Sequence, residues 1–102
     1  MPLMRVTVTA RHVSITKAIQ EYAEDKAGRV ERFFDGITSL AVTLDVARKG
    51  HGDQMAEFIA HVAGGGTCVA HGKGKSLYEA IDAAEAKCQG QLKRYKARLR
   101  GR

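Results

Sequence analysis

The 102-residue chain predicts an α+β fold: a two-layer sandwich in the order β-α-β-β-β-α, with a four-stranded sheet and two helices packed on one face. Three observations carry that expectation. Four runs alternate apolar and polar residues with period two, as half-buried strands do. Two longer runs repeat apolar residues at helical spacing. Every strand keeps one polar face, so a single sheet face must cover both helices while the other meets water.

The first strand is residues 4–10, with Val6, Val8 and Ala10 facing one way and Arg5, Thr7 and Thr9 the other. Thr16 then offers an N-cap oxygen, with Ser14 a competing choice. In the helix that follows, Ile19, Tyr22, Ala23, Ala27, Val30, Phe33 and Phe34 form the apolar face. Gly28 inside it costs about 1 kcal/mol relative to Ala, and Asp35-Gly36 ends it. In the next two strands Leu40, Val42, Leu44 and Val46 share a face, as do Ala56, Phe58, Ala60 and Val62. Lys49 to Asp53 reads as the exposed loop between them. Gly64-Gly65-Gly66 is a turn, and Thr67 to Gly72 a short fourth strand with Cys68 and Ala70 inward and Val69 and His71 outward. The initial β-α-β unit allows strands one and two to lie parallel by a right-handed crossover, and the later hairpins are antiparallel.

Ser76-Leu77-Tyr78-Glu79 has the form of a capping box, in which the Ser76 hydroxyl accepts from the Glu79 amide and the Glu79 carboxylate reaches back. It opens a helix whose apolar residues Leu77, Ile81, Ala84, Cys88, Leu92, Tyr95 and Leu99 fall within an arc of about 80°. Glu79, Asp82 and Glu85 come early and the basic residues late, both matched to the helix dipole. Gly90 is a second interior flaw.

Charge is the strongest functional clue. The chain has 17 Lys plus Arg against 11 Asp plus Glu, and Lys87 to Arg102 holds seven basic side chains and no acidic one. Around the last helix Lys87, Arg94 and Arg98 lie on one flank, and Lys93, Lys96 and Arg100 on the other. On the first helix Lys26, Arg29 and Arg32 step away from the apolar stripe. Lys26 itself falls near the stripe's centre and must snorkel, its stem on apolar surface and its ammonium at the rim. Side-by-side packing would join these flanks into one basic surface suited to the phosphates of a polyanion.

Other classes find less support. Hydrophobic content of 44% argues against a disordered tail, and one domain over residues 1–102 is expected. No segment has the length of a membrane span, and the start lacks the apolar core of a secretory signal, so a cytoplasmic chain is expected. Cys68 and Cys88 are able to pair in principle, but a reducing compartment favours two free buried thiols. Gly74-Lys75-Ser76 is no nucleotide loop, because Val69 stands where the first glycine is required. For Gly72 to Lys75 two readings stay open, phosphate contact by its lysines or a plain flexible strand-to-helix turn. Cys68 and His71 point to opposite sides of a strand, and His61 and His71 are expected as surface imidazoles, so no metal site is expected. No constellation supports catalysis, and no cofactor is expected. The open sheet face lacks an aromatic pair for stacking bases.

The segments Ile15-Thr16-x-Ala18-Ile19-x-x-Tyr22, Lys26-x-x-Arg29-Val30-x-Arg32-Phe33-Phe34, Leu77-Tyr78-Glu79-Ala80-Ile81-Asp82 and Gln91-Leu92-Lys93-Arg94-Tyr95-Lys96 carry a resemblance. With the order of elements, the chain resembles over nearly its whole length the ribosome hibernation-promoting factors, also called the sigma-54 modulation or ribosome-associated inhibitor family. The resemblance implies a topology related to double-stranded-RNA-binding domains. It implies a stationary-phase or stress factor that lodges in the small ribosomal subunit where messenger and transfer RNA pass, with its basic helices on ribosomal RNA. By that resemblance Lys26, Arg29, Lys87, Arg94 and Arg98 would contact phosphates, with Arg32 and Lys96 as secondary candidates. The length is similar to that of the short members, which assist ribosome pairing together with a separate ribosome modulation factor. Gln89, Gly90 and a longer turn at residues 64–66 depart from the family's pattern. Two other readings stay open: a general double-stranded-RNA binder acting off the ribosome, and a protein-interaction module using the open sheet, where Val69 and Ile59 face outward.

Overall fold

The computed structural model describes residues 5–34, 36–46 and 53–100, with side chains through residue 98. Its elements are β1 (Arg5–Ala10), α1 (Lys17–Phe33), β2 (Ile37–Val46), β3 (Gln54–Val62), β4 (Thr67–Gly74) and α2 (Leu77–Arg100). Met4, Asp35, most of the loop expected at 49–53 and the side chains of Leu99 and Arg100 lie outside the described residues.

The strands form one sheet in the order β1-β2-β3-β4, with β1 parallel to β2 and the other pairs antiparallel. The period-two patterns place Leu40, Val42 and Leu44 of β2, Ala56, Phe58, Ala60 and Val62 of β3, and Cys68 and Ala70 of β4 in one core. α1 adds Ala23, Ala27 and Val30, and α2 adds Leu77, Ala80, Ile81, Ala84, Cys88 and Leu92. The expected α+β two-layer sandwich is therefore what forms.

Local signals set the helix starts. Thr16, not Ser14, caps α1, its hydroxyl oxygen accepting from the Ile19 amide at 3.1 Å. Gly28 leaves α1 unbroken. At α2 the Ser76 hydroxyl accepts from the Glu79 amide at 3.2 Å, but the Glu79 carboxylate takes the Lys75 amide at 2.9 Å, one residue before the box's usual donor.

β4 runs two residues past the expected end at Gly72, because Gly72 and Gly74 still pair with Ala56 and Gln54. Both also let α2 lie against the strand. A Cβ at Gly72 would collide with the Ala80 carbonyl and the Ala84 amide. At the β3–β4 turn, Gly64 and Gly65 take φ of 94° and 104°, a region glycine enters without steric penalty.

The two helices run parallel. Tyr22 meets Tyr78, Lys26 meets Asp82 and Glu85, and Phe34 meets Tyr95, so early residues face early residues and late face late. α1 covers the β1–β2 side of the sheet, and α2 covers β3 and β4.

Candidate nucleic-acid interface

The seam between the helices is held by a polar clasp. The Tyr22 hydroxyl donates to Asp82 Oδ1 at 2.6 Å. Lys26 Nζ lies 3.3 Å from the same oxygen and 4.0 Å from Glu85 Oε1. Gln89 donates to Glu85 Oε2 at 2.7 Å, and the Lys26 ammonium sits 5.2 Å from the centre of the Tyr22 ring. Glu85 is 8% exposed, the one buried charged residue among those described. A buried carboxylate needs such partners. The hydrogen bond to Asp82, with burial and Asp82's charge, raises the Tyr22 pKa. Burial pulls the Lys26 ammonium down, but Asp82, Tyr22 and Glu85 outweigh it and its pKa is raised.

The snorkelling expected of Lys26 thus ends at two carboxylates, and its charge helps hold the helices together. No acidic partner for it is visible in its own helix's sequence pattern. The signal was present, since a lysine at the centre of an apolar stripe needs a counter-charge, but Asp82 lies far along the chain.

The remaining basic residues divide between two sides of α2. Gln91, Arg94 and Arg98 line an open cleft with Gly66, Thr67, Cys68 and Tyr95 at the β4 side of the molecule. The Gln91 amide donates to the Val69 carbonyl at 2.6 Å, tying this flank to the edge strand. Lys87, one turn before Gln91, shares the flank and is exposed. Lys96 is on the opposite flank, its ammonium 5.4 Å from the centre of the Phe33 ring of α1. Arg29 is exposed, with Asp25 of its own helix at 4.0 Å, and Arg32 is exposed.

The single joined surface expected between the helices therefore does not form from Lys87, Arg94 and Arg98. They face the edge of β4, and Lys96 is the member that meets α1. The reason is the narrow apolar arc of α2: seated over β3 and β4, it turns one flank to α1 and hangs the other over the sheet's edge. Among the described residues no carboxylate pairs with Lys87, Arg94, Arg98 or Arg32. A surface of this kind attracts phosphate groups without a competing internal partner.

The sheet's other face is mostly polar, with Ile59 and Val69 as apolar cross-strand neighbours on it. His71 Nε2 lies 2.8 Å from Glu57 Oε2, His12 Nδ1 lies 3.1 Å from Asp45 Oδ1, and His61 Nδ1 is 3.3 Å from the Thr67 hydroxyl. Among the described residues no group of three His, Cys, Asp or Glu side chains is placed to hold a metal ion. Cys68 and Cys88 are free and buried; burial pushes the Cys88 thiol up to about 12 and raises that of Cys68. Neither has the thiolate character of a nucleophile. No helix among the described residues is long and apolar enough to cross a membrane.

Comparison with known proteins agrees with this architecture. The profile of the family described as sigma 54 modulation protein / S30EA ribosomal protein matches residues 6–100. The chain is 34% identical over 93 residues to a ribosome hibernation promoting factor of Pseudomonas putida, covering 91% of this chain and 87% of that one. It is 32% identical over 97 residues to the protein of that name from Escherichia coli, covering 95% and 98%. Among solved structures, the N-terminal domain of Thermus thermophilus Protein Y superposes with a TM-score of 0.75 at 32% identity, covering 90% of this chain and 99% of that one. A ribosomal subunit interface protein from Coxiella burnetii shares the fold with a TM-score of 0.82 at 23% identity, covering 92% and 99%.

Proposed function

The chain belongs to the sigma 54 modulation protein / S30EA ribosomal protein family, and from that premise we propose that it is a ribosome-associated translation inhibitor. In this reading it binds the small ribosomal subunit in the cytoplasm through its basic helices and occupies the path of messenger and transfer RNA. It thereby promotes hibernation in stationary phase or stress, and a ribosome modulation factor is a candidate partner. The relatives from Pseudomonas putida and Escherichia coli named for ribosome hibernation support the ribosomal role.

The observation that carries the interface is the α2 flank of Lys87, Arg94 and Arg98, three cations with no carboxylate partner among the described residues. Blockade of this kind is steric and requires no covalent step. Lys87→Glu combined with Arg94→Glu is expected to abolish co-sedimentation with small subunits while leaving the melting temperature nearly unchanged, because both side chains are exposed. Undiminished co-sedimentation would remove this flank from the interface. Titration against a plain RNA duplex and against isolated small subunits separates this reading from a general duplex binder, for which the two affinities would be equal.

A further inference from the structure

The open sheet face has no aromatic pair, but the helical side does. Among the described residues two large apolar side chains are exposed, Val69 at 41% and Tyr78 at 39%. Tyr78 sits in the first turn of α2, beside α1. Its ring meets that of Tyr22 edge to face, with centroids 4.9 Å apart and planes at 77°. Tyr22 is fixed in turn by its hydroxyl bond to Asp82 and by the Lys26 ammonium against its ring. The Tyr78 ring is therefore braced from behind, while its hydroxyl meets no hydrogen-bonding partner among the described residues. Tyr78 thus packs part of its ring on Tyr22 and keeps the rest, with its hydroxyl, open to solvent. Lys75, exposed and just ahead in the chain, adds a cation with no carboxylate partner among the described residues.

We propose that Tyr78 is a stacking platform for one unpaired RNA base, braced by Tyr22 and with the Lys75 cation just ahead of it in the chain. This rests on the reading that the helical side meets ribosomal RNA, and adds to it a contact of different chemistry. Phosphate contacts are electrostatic and weaken with salt, whereas stacking on an aromatic face does not release counterions. A ring already held by Tyr22 loses little freedom on binding, which favours affinity.

The test measures binding of the full chain to purified small subunits over a range of salt, for wild type, Tyr78→Phe, Tyr78→Leu and Tyr78→Ala. The Lys87→Glu, Arg94→Glu variant is the control for the underlying reading. Tyr78→Phe should bind as wild type. Tyr78→Leu, which keeps apolar bulk against Tyr22 and so protects folding, and Tyr78→Ala should each bind about 5- to 150-fold more weakly. The slope of log affinity against log salt should be unchanged, and Tyr78→Leu should melt like wild type. Wild-type affinity in Tyr78→Leu, with binding lost in the charge-reversed control, overturns stacking and leaves the RNA reading standing. A loss in Tyr78→Phe equal to that in Tyr78→Leu overturns it too, because the hydroxyl would be the active group. Affinity lost to subunit protein and not to protein-free subunit RNA likewise overturns it, in favour of a protein contact. No effect of either Tyr78→Leu or the charge reversal overturns both readings together.

Discussion

Lys26 shows how one side chain takes its meaning from its surroundings. Its position in the apolar stripe of α1 is legible in the sequence, as is the need to reach the rim. Its destination between Asp82 and Glu85 is not, because that depends on how two helices are set side by side. Its side chain is 15% exposed, so its charge is only partly screened by water. The clasp has a pH signature. Tyr22 and Lys26 both have pKa values raised above their ordinary 10.0 and 10.5. In each case the folded state holds its proton more tightly than the unfolded chain. The stability they confer is complete below those ordinary values and is lost as pH rises through the raised ones. Asp82→Asn removes the carboxylate that raises both. The variant should be less stable at neutral pH, and its stability should fall less between about pH 9 and about pH 12 than that of wild type. Thermal melts across that range check it, and parallel alkaline limbs in the two proteins would exclude the clasp as the cause.

At the scale of the element, α2 was the most legible part of the chain and also the site of the main surprise. The Ser76 cap and the stripe from Leu77 through Leu92 are local patterns, and both appear in the structure where their spacing places them, with the Glu79 carboxylate shifted by one residue to the Lys75 amide. The strands follow for the same reason, since a period-two pattern fixes which residues face the core. The extension of β4 through Lys73 and Gly74 was not legible, because glycines near a turn, here Gly72 and Gly74, read locally as a break. In the fold these glycines are strand positions where α2 lies too close to leave room for a Cβ. Gly72→Ala should therefore destabilise the protein by about 1–3 kcal/mol, as forced overpacking does. In a domain of this size that lowers the melting temperature by roughly 5–20 °C. Gly90→Ala is the contrasting substitution. Its Cβ would meet only the end of the Arg94 side chain, at 4.0 Å, so better helix propensity should make it neutral or mildly stabilising. Equal melting temperatures for wild type and Gly72→Ala would show that α2 shifts to accommodate the methyl group.

Over the whole molecule, the sheet decides how charge is displayed. One apolar sheet face holds both helices parallel, so α2 has an inner flank toward α1 and an outer flank at the β4 edge. The division of the basic residues between two flanks was legible; which flank faces α1 was not, because a helical wheel gives angles around α2 but not the direction of its neighbour. The division has a consequence for binding. Lys26 shares its charge with Asp82 and Glu85, whereas Lys87, Arg94 and Arg98 have no such partner among the described residues. A cation that neutralises a phosphate releases a condensed counterion, and each such contact contributes about 0.7–0.9 to the slope of log affinity against log salt. Replacing Lys87, Arg94 or Arg98 singly by Gln should therefore lower the slope for small subunits by roughly that amount, with the steps adding in the triple variant. Affinity measured at several salt concentrations gives the slopes directly. A triple variant with the wild-type slope would mean that the outer flank meets no phosphate, and the RNA-facing surface would then have to lie on the α1 side.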